Sequence, residues 1–494
     1  MKQLLGILLF VLIFPVVIQA NETDRDSVGS ISFPTSASGE AQSHFLRGVS
    51  ILHSFGWKQA KLEFQAAQRL DPDFALAYWG EALCYNHPLI SEWDRETPQA
   101  ILMRLGKNLN KRLSKAPTER EKGFIRAVDA LFFGDGDTQA RREAYMLLMK
   151  TMYENFPGDD EIAAFYALSL LMSAGPAGDG SHRSNILAGS IAMDISARNP
   201  SHPGAVHYTI HAFDDPVHAP LALPAAYVFA DIAAAVSHAR HMPTHIFIQH
   251  GLWKLVASQN QSAYDAALAL YEPGDSVGDM VHALNWGQYG ELQRGDLDRA
   301  KLWIKRMEKI LKKAPEQMRV QETYNIVRAR LIIETGNWQT SPVTSESSGP
   351  ELLATGLSAV KLDELEIAEK AANRLAELAA EMADESKDTS YYSLSNKILL
   401  IMQMEVEGML TIARGKNAAG LAILKDSVEL AETMRPPNGA PNPLKPPHEL
   451  YAEALLDSGE ASAALAAFNK SLARTANRTL SMAGAAKARE ILTK

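Results

Sequence analysis

Histidine is the residue whose distribution in this chain most needs a reason. There are fourteen, and eight fall in one stretch: His202, His207, His211, His218, His238, His241, His245 and His250. Imidazole changes charge near neutral pH and is the commonest nitrogen ligand for transition metals. His207 and His211 stand four residues apart in HPGAVHYTIH, behind Pro203, which suits a first helical turn. That spacing puts both rings on one helix face, where two imidazoles can share a divalent metal. A second group, HARHMPTH, supplies His238, His241 and His245, and Pro243 again marks a helix start. His245 then lies in a first turn with His241 just before it. His238 falls on a segment that reads as a loop, so its placement stays open. If the two groups occupy neighbouring inner helices of a repeat array, His207, His211, His241 and His245 face one another as a three- or four-nitrogen cluster. Asp214, Asp215 and Asp231 are the nearby carboxylates. His202, His218 and His250 lie off these faces and read as ordinary. All-nitrogen ligation suits zinc, copper or iron and does not choose among them. The competing reading is polar packing, with each ring satisfied by backbone or carboxylate.

Other chemistries leave no trace. His448-Glu449 lacks the second histidine of a zincin helix, and there is no P-loop, dinucleotide fingerprint or nucleophile elbow. The single cysteine, Cys84, can form neither an intramolecular disulfide nor a thiolate zinc site, and its neighbours Ala82, Leu83 and Tyr85 make it a core residue. A formal net charge of -9 without a basic patch excludes nucleic acid as a partner.

The elements that must position the histidines read as helices. In the segment Trp57 to Ala82, small and apolar residues (Ala60, Phe64, Ala67, Ala75, Trp79, Gly80) recur at helical spacing, and Asp71-Pro72 breaks the run. The same grammar returns about eight times, as in Ala144–Leu171, Ala283–Ile310, Leu352–Met382 and Glu449–Leu472. This pattern resembles the tetratricopeptide repeat, a helix-turn-helix of about 34 residues. The expected fold is therefore all-α, with such repeats stacked into a right-handed superhelix. His207 follows Pro200 at the same distance as Trp79 follows Pro72. It thus stands where another repeat puts a packed aromatic, and should be at least partly buried.

Residues 1–20 read as a signal peptide: Lys2, an apolar run from Leu4 to Ile18, and small Ala20 at the expected cut. No cysteine follows for a lipid anchor. The expectation is a periplasmic or secreted protein, touching a membrane only if that segment stays uncleaved. Residues 21–40 read as a disordered leader, 41–338 as a first array holding the histidines, 339–350 as a linker and 351–494 as a second array. Arg435 to Pro447 carries six prolines in thirteen residues, so it reads as an extended strap, either a connector or laid across the array.

Five blocks resemble a family of bacterial secreted tetratricopeptide-repeat proteins: HSFGW from His53, LDPDFALAYWGEA from Leu70, HPGAVHYTIHAFDDP from His202, HMPTHIFIQHGLW from His241, and KPPHELYAEALLDSGEASAALAAF from Lys445. The resemblance covers Ala41 to Ala485 and implies fold and export; it implies hardly anything about activity. Its blocks also bring in His53 on the first inner helix, His87 near the end of its partner, and His448 at the start of the last repeat as lesser candidates. Two functions follow. One is a binding module that holds a protein or peptide partner on its concave face. The other is a histidine-ligated metal-binding protein or metalloenzyme with its site inside the groove.

Overall fold

A computed structural model describes residues 26–89, 94–174, 181–385 and 391–494. Every regular element among them is a helix. The pairing follows from the small residues. The helix Trp57–Leu70 buries Ala60, Phe64 and Ala67 along one face. It ends at Asp71, whose extended backbone is what a following proline demands. The next helix, Ala75–Leu83, is buried along its whole length. The Phe64 ring fills the space that side chains at Gly48 and Gly80 would need. The device recurs with Phe213 against Gly189, Trp303 against Gly287 and Phe468 against Gly484. A glycine on one helix thus admits an aromatic from a neighbour, and that close approach sets each helical hairpin. The chain is an all-α stack of tetratricopeptide-like helical pairs, packed in sequence order.

The segment expected to be a signal peptide lies outside the described residues. The leader expected to be disordered departs from that expectation from residue 26 onward. Ser30 N–H donates to the Ser201 carbonyl at 3.0 Å. Phe33 is fully buried among Phe45, Trp79 and Phe124, with ring centroids 5.0 to 5.9 Å away. One aromatic in a polar stretch is enough to anchor it, because a buried phenylalanine gains about 1.5–3 kcal/mol.

The polar linker also behaves differently from expectation. Its irregular part closes at Ser348, which caps the helix Gly349–Lys361 together with Glu351. It does not separate two cores, since Ala329 and Ile333 before it pack with Leu352, Leu353 and Leu357 after it. A buried ionic network crosses it as well. Arg478 donates to both oxygens of Glu449 at 2.8 and 3.0 Å and to Glu334 at 2.5 Å. Lys445 donates to Glu449 at 2.9 Å. Burial works to raise the Glu449 pKa, but Arg478 and Lys445 outweigh it and hold the carboxyl at about 2.

The proline strap lies across the array. Pro437 accepts a hydrogen bond from the Gln249 side chain at 3.3 Å. Gly439 packs on the Trp286 ring so closely that a side chain there would collide, and Ala440 rests on the large N-terminal core.

Candidate metal centre

Four helices build the site. His207 and His211 project from Pro203–Ala212, His238 and His241 from Ser237–His241, His245 from Pro243–Gln249 and His282 from Gly278–Gln293. Met242 keeps helical backbone angles between the second and third of these. His238, His241 and His245 therefore sit on nearly continuous helix rather than partly on a loop.

The four histidines expected to form one cluster are brought into one region and divided between two groups. One ring nitrogen each from His207, His211 and His238 lies within 4.8 Å of the others, and His241, His245 and His282 form a second such group. The rings of His211 and His245, one from each group, are 6.1 Å apart. His241 and His245 lie about one turn apart on that nearly continuous segment, as do His207 and His211 on theirs, and each pair is completed by a ring from another element, His282 and His238 respectively.

Hydrogen bonding sets the tautomers. His207 is fully buried, and its Nδ1–H donates to the His53 carbonyl at 2.6 Å. Its Nε2 must then carry a lone pair. The Nε2 atoms of His207, His211 and His238 are all buried without a hydrogen-bond partner. Unmatched buried nitrogens in one spot are uncommon and costly unless something binds them. In the second group, Asn260 donates its amide to Val256 O at 2.8 Å, which aims its oxygen at His241 Nδ1 at 2.7 Å. Asp214 takes His245 Nδ1 at 2.6 Å. With both Nδ1 atoms donating, the two Nε2 lone pairs meet at 3.1 Å. A metal cation between them, or a proton supplied from the Asp214 side, whose carboxyl pKa burial raises, would reconcile them. Burial disfavours an imidazolium there, pushing His241 well below the ordinary imidazole range, with His245 adding to the effect. Two nitrogens bound to one tetrahedral zinc sit about 3.3 Å apart, close to this separation. His282 is the weakest member, because its Nδ1 accepts from Arg319 at 3.1 Å.

The surroundings favour neutral, ligating imidazoles. Burial pushes His207 and His211 well below 6.5 and takes His238 to about 4. Burial also raises Asp214, while His245 opposes it and the Asn438 side chain of the strap favours the ionised form. Aromatic rings wall the region. Phe55 lies 4.5 Å from His207 and stacks on His238 at 5.3 Å, and Trp286 lies 4.3 Å from His245. Phe55 holds a left-handed backbone, φ +57°, which costs a non-glycine residue about 1–2 kcal/mol. That conformation delivers its ring to the histidines.

The remaining candidates lie elsewhere. His53 is fully buried; its Nε2 bonds Glu161 at 2.9 Å and its Nδ1 takes the Tyr208 hydroxyl at 2.8 Å. His202 is equally buried. Its Nδ1 accepts the Ala205 amide, so its Nε2–H faces Glu161 at 3.2 Å. Glu161 between them is held at about 2: burial acts to raise it, and His53 and His202 outweigh that. His53 is closed by its own hydrogen bonds, while His202 Nε2 and Glu161 Oε1 face each other as an ion pair without a well-formed hydrogen bond, so His202 is packed against a buried carboxylate rather than incidental. His87 packs on Trp57 at 5.0 Å. His448 pairs with Glu432 at 3.3 Å in the last repeats, away from the histidine groups. Sequence reasoning missed His282 and Asn260. His282 is a lone histidine one repeat further on, and no spacing rule singles it out.

The site and the helical stack together define an all-α repeat protein with a histidine-rich interior. No family model matches the chain, and no curated protein matches it. Among solved structures it is similar to the anaphase-promoting complex hetero-tetramer Cut9-Hcn1, with 14% identity, 93% of this chain and 78% of that chain covered, and TM-score 0.36. It is similar to the P58(IPK) TPR domain, with 13% identity, 92% and 99% covered, and TM-score 0.23. For yeast Tom70 the values are 10% identity, 92% and 89% covered, and TM-score 0.32.

Proposed function

We propose that this is an exported metal-binding protein, with a metal held inside its helical array by His207, His211 and His238 and a second position offered by His241 and His245. One observation carries the reading: three imidazoles, one buried and two partly buried, present buried and unpartnered Nε2 atoms in one place. Neutral imidazole is the ligating form, and burial already holds these rings in it near neutral pH. His53, Asn260 and Asp214 would orient the rings from behind through their Nδ1 atoms. All-nitrogen ligation suits zinc, copper or iron. Three protein ligands leave a fourth position for water or substrate.

The other reading, a module binding a protein or peptide on its concave face, is supported by the helical-repeat architecture alone. At the histidine region the chain's own strap already covers Trp286.

The test is elemental analysis of the untagged chain purified without chelators, followed by zinc titration. About one to two metal ions per chain are expected in the interior. Less than about 0.1 per chain, with no uptake on titration, would overturn the proposal. His207→Ala and His211→Ala should each bind one metal ion fewer than the wild type, and an unchanged count in both would refute the ligand assignment.

A further inference from the structure

Asp214 and Asp215 are neighbours that serve different histidines. Asp214 is nearly buried and bonds His245 of the interior. Asp215 belongs to a third group of possible ligands, His182, Asp215 and His218, whose side chains are 26%, 15% and 24% exposed. The group is built from two loop ends. The Asp215 Oδ1 accepts the backbone amides of Val217 and His218 at 2.9 and 3.1 Å, which fixes the turn before the helix Ala219–Ile232. Its Oδ2 is left toward the rings, 2.8 Å from His218 Nδ1 and 3.9 Å from His182 Nδ1. The two rings stand 5.1 Å apart, and Phe213 stacks behind His218 at 6.3 Å. His182 reaches its place through a left-handed backbone, φ +56°, just before the helix Arg183–Arg198. A strained non-glycine residue at a ligand-rich corner is where strain and function coincide.

Two imidazoles and one carboxylate are the donor set of many divalent transition-metal sites. We infer that His182, Asp215 and His218 form a solvent-facing metal site that takes up a divalent transition metal and loads the buried histidines through the Asp214–Asp215 step. The loading role rests on the interior metal reading; the surface site itself does not. The carboxylate makes this the more charged and more exposed donor set, so it captures a hydrated cation readily. The interior is all-nitrogen and more buried, so it retains a cation better once the ion has lost its hydration shell.

The test uses the full, untagged chain stripped of metal, with zinc alone as the probe and a chromophoric chelator as competitor. The wild type is compared with a His182→Ala/His218→Ala variant and a His207→Ala/His211→Ala variant. Asp215→Asn, which keeps an oxygen for the turn amides, is a second surface variant. The surface variants should bind one zinc fewer than the wild type and fill the interior about tenfold more slowly at limiting zinc. A full zinc count in both surface variants overturns the site, and an unchanged filling rate overturns its loading role. Should the interior variant bind as much zinc as the wild type while the surface variants lose one, the interior reading fails and the surface site stands.

Discussion

Two buried polar clusters in this molecule are organised in opposite ways. Around Glu449, charge meets charge: Arg478 and Lys445 surround the carboxylate, Ser481 donates to it, and Glu334 takes the far end of Arg478. Around His207 and His245 the rings are anchored from behind, and their Nε2 atoms point toward neighbouring imidazoles. Both oxygens of Glu449 have partners within the chain. The Nε2 atoms of His207, His211 and His238 do not. The His53–Glu161–His202 trio lies between the two patterns: His53 bonds Glu161 and Tyr208, while His202 Nε2 and Glu161 Oε1 meet without a well-formed hydrogen bond. Residue type is therefore a poor guide to role; whether the hydrogen bonds close is a better one.

The contrast can be broken by mutation. Glu449→Gln should cost about 3–5 kcal/mol in a urea titration, because it leaves Arg478 and Lys445 buried without their shared counter-charge. His211→Asn in metal-free protein should change stability by less than about 1.5 kcal/mol. Equal losses would mean that the histidine cluster is a closed network too. Zinc at about one hundred times its Kd for the His207 group should stabilise the wild type by about 2.7 kcal/mol more than it stabilises His238→Ala. Differential scanning calorimetry reads this directly, and an equal gain in both proteins would remove His238 from the site. Asn260→Leu should weaken zinc binding about 10–100-fold without abolishing it, since it frees His241 to turn but removes no ligand. A chelator competition that finds no change would dissolve the supporting role given to Asn260.

The smallest effect is that of pH on the metal-free protein. The buried rings have folded pKa values below 6.5, so the unfolded chain binds protons that the folded chain refuses. Their contribution is present above pH 6.5 and falls away as pH drops toward about 4, the His238 value. Between pH 7 and pH 6 each ring should subtract less than about 1 kcal/mol. Glu161 adds a separate loss between 4.5 and about 2. Denaturation midpoints that stay flat from pH 7 to pH 4 would show the rings to be protonated or solvated.

The helical class was legible because Phe64, Gly80 and Trp79 recur as a pattern that only paired helices explain. The density of histidines marked the segment from which the structure assembles two histidine groups, and each i, i+4 pair stays within one group. Three things were not legible. Which third ring completes each pair depends on how neighbouring helices rotate, which spacing along one helix does not encode. His202 looked incidental because its partner, Glu161, comes from a different repeat. The polar leader and linker looked detached because composition does not reveal that a single Phe33 finds a pocket or that Ile333 packs on Leu352.

The strap has a further consequence for folding. A stack of repeats in which each touches only its neighbours can fray from either end, one unit at a time. Here Asn438 sits beside Asp214 and Asn477 donates to the His250 carbonyl at 3.1 Å, so late repeats are tied to the middle of the chain. Such ties convert a row of weakly coupled units into a more cooperative whole. They also place the completion of the histidine region after synthesis of the strap, because Asn438 and Gly439, which lie against Asp214 and Trp286, come much later in the chain.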